Sequence, residues 1–263
     1  LRSYFGGLLT TCGVTNVGPP CERSELTGEG LHGRISSTPA EDICVEKKWI
    51  SGKYVLSLKG KMRQTALFAE NIIVERKIET YLGADYFKIT DTITNEGFRK
   101  TPFMILYHCN IGWPVVCKKA KVCIPAKRTI PRDEIAKQGK DAWYEITPPE
   151  ENYQERVYFH DVKTQKNGEV IIGVYNAEQE LEQNFYGVYI KYKKAQLPKL
   201  VQWKMLGTGE YVIGLEPCNA GVLGKDETEK RGEMDYLQPG ETRIHELEIG
   251  IINQQVSGYF SNL

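Results

Sequence analysis

The feature that most constrains this chain is a period of two. Tyr54-Val55-Leu56-Ser57-Leu58 alternates between apolar and polar positions, and so does the longer run at residues 86–94. The pattern returns at residues 170–175, 186–192, 200–205, 211–215 and 242–251. Successive side chains of a strand point to opposite faces. Short runs rich in Val, Ile, Tyr and Thr, spaced regularly, therefore predict antiparallel strands with one face in a core. Turn formers separate them: Asn95-Glu96-Gly97, Lys166-Asn167-Gly168 and Gln238-Pro239-Gly240. Helix is scarce. Residues 132–139 and 178–183 hold helix formers for one or two turns, without the length or apolar stripe of a core helix. Residues 118–152 mix Pro, Lys and Glu and read as a surface excursion. The expectation is an all-β chain, a large antiparallel β-sandwich with few short helices. No repeat or linker divides residues 1–263, so one domain is the simpler reading.

Charge excludes some classes of partner. Lys and Arg together number 34, and so do Asp and Glu, which fits neither a nucleic-acid surface nor an anionic membrane. No stretch reaches the roughly 20 apolar residues that span a bilayer. The opening Leu1-Arg2-Ser3-Tyr4 has no basic segment followed by an apolar run, so no secretory signal is read and the cytoplasm is expected. There is no initiator Met, and residues 2–13 read as domain interior, so the natural N-terminus, and some strands with it, are expected upstream. Seven cysteines at irregular spacing, with no C-x-x-C pair, point to reduced thiols rather than a disulfide framework or a zinc site.

Four histidines occur, His32, His108, His160 and His245. His245 lies among charged neighbours in Arg243-Ile244-His245-Glu246 and reads as part of a solvated face. His108 follows the apolar run Phe103-Met104-Ile105-Leu106-Tyr107 and precedes Gly112 and Pro114, a rigid way to present a proton donor at a strand end. Glu216 closes Tyr211-Val212-Ile213-Gly214-Leu215 in the same manner. A carboxylate there is costly to bury unless it is paired or its pKa is raised, and a raised pKa suits a general base near neutrality. Gly28-Glu29-Gly30-Leu31-His32-Gly33-Arg34 surrounds a His and an Arg with glycines, whose backbone can approach a ligand closely. No following helix marks it as a phosphate loop.

At these residues the chain resembles the aldose 1-epimerase (galactose mutarotase-like) superfamily, with its closest likeness to an uncharacterised bacterial aldose-epimerase-like branch. Four segments carry the resemblance: Leu1 through Gly13 with its Arg2, Leu31-His32-Gly33, Tyr107-His108 through Pro114, and Leu215-Glu216-Pro217. Asp91-Thr92-Ile93-Thr94-Asn95 is a structural echo of the superfamily's strand-to-turn pattern. The order Arg, His, His, Glu is more specific than any one motif. The resemblance implies a galactose mutarotase-like sandwich that interconverts the α and β anomers of a sugar, with His108 as acid and Glu216 as base. It implies substrate contacts from Arg2, His32 and Arg34, and from Glu155 or Asp161, between which spacing does not decide. Trp203 is a candidate platform for a sugar face or a core tryptophan. No metal or cofactor is implied. The two catalytic groups are expected on opposite sides of the sugar. Rival readings are a non-catalytic carbohydrate-binding protein, a hydrolase or lyase, which ordinarily needs paired carboxylates, and an epimerase of a phosphorylated sugar. The last requires a basic cluster, for which Lys118-Lys119 and residues 191–194 are candidates.

Overall fold

The computed structural model describes residues 6–21, 29–176, 187–252 and 254–260. Strands form where the alternation runs. In chain order they are β1 (Leu9–Val14), β2 (Glu41–Ile50), β3 (Lys53–Thr65), β4 (Asn71–Tyr81) and β5 (Tyr86–Asn95). Next come β6 (Thr101–Gly112), β7 (Ala120–Cys123), β8 (Ala126–Pro131), β9 (Arg156–Val162) and β10 (Glu169–Asn176). The last five are β11 (Gly187–Lys193), β12 (Lys199–Gly207), β13 (Glu210–Cys218), β14 (Asp235–Leu237) and β15 (Thr242–Ile251). A 7-stranded sheet has the order β1-β6-β13-β12-β9-β8 with β14 on β6, and an 8-stranded sheet the order β2-β3-β4-β5-β15-β11-β10-β7. Among the described residues helix is confined to short pieces: α1 (Glu134–Gln138), α2 (Lys225–Lys230) and α3 (Gln254–Phe260), besides two 3-10 turns. The all-β expectation holds. Residues 118–152 are not a plain surface excursion, because they contain β7, β8 and α1. The second expected helical turn, residues 178–183, lies outside the described residues. Within 132–139 the helix forms as anticipated, with Asp133 accepting the Ala136 N–H at 2.9 Å as its N-cap. No helix among the described residues is long and apolar enough to cross a membrane.

The chain divides into two compact units, residues 1–107 with 218–247, and residues 108–217 with 248–263. In the first, β3, β4 and β5 pair antiparallel in long registers. β5 turns Ile89, Asp91, Ile93 and Asn95 inward, each nearly or wholly buried. Two of these are polar, so partners must satisfy them. Arg76 of β4, directly opposite Asp91, donates to both carboxylate oxygens at 2.8 and 2.6 Å, and the Tyr107 hydroxyl donates to Oδ2 at 2.7 Å. Asn95 donates to the carbonyls of Arg99 and Leu237 and accepts the Gly97 N–H, closing the turn after β5. His245 corrects the sequence reading. It is 2% exposed, its Nδ1 lies 3.4 Å from the Tyr107 hydroxyl, and it packs against Phe103. The reason is that β15 is inverted here, with the apolar Ile244 outward at 51% exposure and the histidine inward. Burial pushes the His245 pKa down to about 4.

In the second unit, β9 pairs with β12 and with β8, and β10 with β11 and with β7, all antiparallel. Because side chains alternate, Trp203 of β12 faces one side of its sheet while Gln202 and Lys204 face the other. Arg156 and Tyr158 of β9 stand opposite Lys204 and Gln202 and share their face. This division separates two polar groupings, one on each face.

Candidate functional site

The strand ends foreseen for His108 and Glu216 are strand interiors. β6 continues through Gly112 and β13 through Cys218, so both side chains project from within regular strands. That is a stiffer mount than a loop. Both are buried, His108 to 6% and Glu216 to 2% exposure. The imidazole Nε2 lies 3.1 Å from Glu216 Oε1. They stand side by side, not on two sides of an intervening space as expected. Burial raises the Glu216 pKa to about 8; the negative charge of Glu155 adds to the rise and Arg132 opposes it.

Three further residues shape this pair. The Trp203 ring meets the imidazole edge-on, with centroids 5.6 Å apart and planes at 69°. Its indole Nε1–H donates to Glu155 Oε2 at 2.8 Å, and Glu155 Oε1 accepts from Arg132 Nη2 at 2.9 Å. Trp203 is part-exposed, so it is not a core tryptophan. Gly214 lies two residues before Glu216 and so on the same face of β13. A Cβ there would meet Glu216 Oε1 at 2.5 Å, His108 Cε1 at 3.1 Å and Trp203 Cβ at 3.2 Å. Arg132 and Gly214 were not singled out from sequence. An isolated glycine inside an apolar strand is a signal of close approach that would have marked Gly214. Nothing in the sequence marks Arg132.

Of the two acids left open by spacing, Glu155 has the charge that acts on Glu216. Asp161, an exposed position of β9, is bound by Lys194 at 2.8 Å. Arg2 lies outside the described residues. His32, at positive φ of 61°, accepts the Gly18 N–H on its Nδ1 at 3.2 Å. Arg34 donates to Glu70 at 2.5 Å. The glycines around them serve the chain itself: at Gly33 a Cβ would stand 2.4 Å from the Gly13 carbonyl, so these two backbones meet directly. His160 accounts for both its ring nitrogens inside the protein, with Thr129 Oγ1 and Gln202 Oε1 each 3.0 Å away. Burial lowers its pKa to about 4. The candidate lysines for a phosphate cluster under the rival reading are paired or exposed. Lys191 pairs with Glu248 and Lys194 with Asp161, while Lys118 and Lys119 lie on the surface. None of the seven cysteines is in a disulfide, and all are buried except Cys44.

A family model described as "Domain of unknown function (DUF4432)" matches residues 1–251. No curated protein matches the chain. Among solved structures, a Klebsiella pneumoniae protein provisionally named an aldose 1-epimerase superposes with a TM-score of 0.88 at 23% identity, over 98% of this chain and 66% of its own length. This chain thus spans just under two thirds of that protein. A galactose mutarotase-like protein from Clostridium acetobutylicum gives 0.61 at 15% identity, covering 92% of this chain and 80% of that one. A galactose 1-epimerase from Lactobacillus acidophilus gives 0.53 at 10%, over 94% and 78%. At such identities the likeness shows the fold, the galactose mutarotase-like β-sandwich.

Proposed function

The chain belongs to the family described as a domain of unknown function (DUF4432), and from its His108–Glu216 pair we propose that it is a sugar mutarotase working by the acid–base chemistry of its own side chains. The observation that carries this reading is the contact itself: two buried ionisable groups 3.1 Å apart, one of them a carboxyl with its pKa raised to about 8. A group poised near the working pH can both take and return a proton. Anomerisation needs that at two oxygens bonded to the same carbon, the anomeric hydroxyl and the ring oxygen. An acid and a base side by side can span two such neighbouring atoms.

The proposed cycle balances without any outside reagent. The Glu216 carboxylate takes the proton of the anomeric hydroxyl while protonated His108 gives one to the ring oxygen. The bond from C1 to the ring oxygen breaks, leaving an open-chain aldehyde. The C1–C2 bond rotates, and the same hydroxyl attacks the other carbonyl face. His108 recovers its proton from that hydroxyl, and Glu216 returns its own to the carbonyl oxygen. Each group is expected to contribute about 10²–10⁴-fold. Trp203 supplies an apolar surface for the sugar, and Glu155, held by Arg132 and the indole, accepts a sugar hydroxyl. Arg2, His32 and Arg34 are proposed as hydroxyl contacts on the strength of the family resemblance.

The test is polarimetry on freshly dissolved single anomers of neutral and phosphorylated aldoses, with mass spectrometry of the mixture and a methyl glycoside as ligand. A mutarotase accelerates the decay of rotation, leaves the mass unchanged and binds the glycoside without altering it. Binding of sugars with no acceleration would leave a carbohydrate-binding protein, and a changed mass would mean a hydrolase or lyase.

A further inference from the structure

The sheet face opposite Trp203 holds a second polar cluster that the proposed mutarotase chemistry does not use. Lys204 is 2% exposed and Tyr158 fully buried, and with Arg156 and Tyr153 they form one group. Arg156 stands opposite Lys204 across the β9–β12 ladder, and its guanidinium lies 5.2 Å from the Tyr153 ring centroid. Gly139 makes room for the rest. A Cβ there would be 2.7 Å from Arg156 Nη1 and 2.8 Å from the Tyr158 hydroxyl. The backbone of residues 142–145 covers the other side, where Lys204 Nζ donates to the carbonyls of Ala142 at 3.2 Å and Glu145 at 2.7 Å.

The chemistry of this group is one-sided. A guanidinium and an ammonium have only donors, and each phenol brings an O–H. Arg156 Nε and the Tyr153 hydroxyl are buried without a hydrogen-bond partner among the described residues, and the Tyr158 hydroxyl has no neighbour but the Arg156 guanidinium in reach of a weak hydrogen bond. Lys204 has three N–H bonds and two carbonyl acceptors. No described carboxylate forms an ion pair with either cation. Asp133 is taken by Arg132 and its helix cap, and Glu145 and Glu150 are exposed. That the two cations sit close is felt at Lys204, whose pKa falls to about 8 through burial and then through Arg156, with Glu145 and Glu150 pulling weakly the other way. A buried cation such as Lys204 costs several kcal/mol without a counter-charge, and an acceptor-only ligand that also reaches the half-buried Arg156 removes that cost.

We propose that Arg156, Lys204, Tyr153 and Tyr158 form a binding site for a small oxyanion, a phosphate or a carboxylate, separate from the His108–Glu216 pair. Its oxygens accept from the guanidinium, the third ammonium N–H and the two phenols. The proposal does not depend on the sugar chemistry.

Calorimetric titration with inorganic phosphate and with acetate, at an ionic strength held constant with sodium chloride, tests it, together with thermal melts in the same solutions. Saturable binding of either anion is expected, with a melting temperature that climbs with the logarithm of its concentration. Whichever anion binds identifies the class. Tyr158→Phe, which removes one hydroxyl and keeps the core filled, should weaken that anion about tenfold or more. Arg156→Gln should abolish saturable binding; if it fails to fold, Tyr158→Phe decides alone. Absence of saturable binding for both anions, or binding by Tyr158→Phe equal to that of the wild type, would overturn the proposal.

Discussion

A carboxyl at 2% exposure beside an imidazole gives the proposed reaction its pH dependence. As pH rises toward about 8, a growing fraction of Glu216 is the base the mechanism needs while the protonated His108 it also needs is depleted, so kcat/KM for anomerisation should follow a bell, with Glu216 setting the limb near 8. Glu155 contributes to that high value through its negative charge, and Arg132 counteracts it. Glu155→Gln removes the repulsion and leaves Arg132 unopposed, so the limb set by Glu216 should move to lower pH; a limb that stays in place would show that Glu155 does not tune the pair. Both residues of the pair were legible in the sequence, because an ionisable side chain beside an apolar run is conspicuous. Their mutual distance was not, since it depends on strand register. Hence the sequence led to groups flanking the sugar, and the structure sets them side by side.

At the scale of the strand, β13 is built around an absence of bulk. Gly214 leaves the space that the Glu216 carboxylate occupies, so Gly214→Ala should cost about 1–3 kcal/mol in chemical denaturation through overpacking. It should also lower kcat/KM about 10²-fold by displacing the carboxylate. Activity near wild type in a folded Gly214→Ala protein would mean that the pair tolerates displacement. The ladder of β4 and β5 makes a separate prediction. Asp91 is wholly buried against Arg76, whose side chain is 18% exposed, so Asp91→Ala strands a cation and should cost about 3–5 kcal/mol in urea unfolding. A strand with clean alternation, such as β5, was readable, and so was a short apolar run bounded by turn formers, such as β10. β4 was not, because its second half, Glu75-Arg76-Lys77-Ile78-Glu79, places charges on both faces and Arg76 is spent on Asp91. The same network explains His245: charged neighbours imply solvent only if the buried face is apolar, and here the core contains Asp91 and Tyr107.

For the whole molecule, the buried titratable groups set the pH of greatest stability. His160 and His245 have folded pKa values lowered from 6.5 to about 4, so the unfolded chain binds more protons between those limits and stability falls as pH drops from 6.5 toward 4. Glu216 acts in the opposite sense: its folded pKa, raised from 4.5 to about 8, makes the folded chain the better proton acceptor and costs stability as pH rises. Between 4.5 and 6.5 the two histidines outweigh the one carboxyl. Between 6.5 and 8 Glu216 acts nearly alone, at about 2 kcal/mol, since Lys204, lowered to about 8, works the other way only above that pH. Unfolding free energy should therefore peak near pH 6.5, and Glu216→Gln should flatten the decline above it. The most direct measurement for the central claim is anomer exchange followed by saturation-transfer NMR on the sugar that responds, with wild type, His108→Asn and Glu216→Gln side by side. The account predicts fast exchange in the wild type and a loss of about 10²–10⁴-fold in each folded variant, with the double variant little worse than either single one. Wild-type exchange rates in both variants would contradict it.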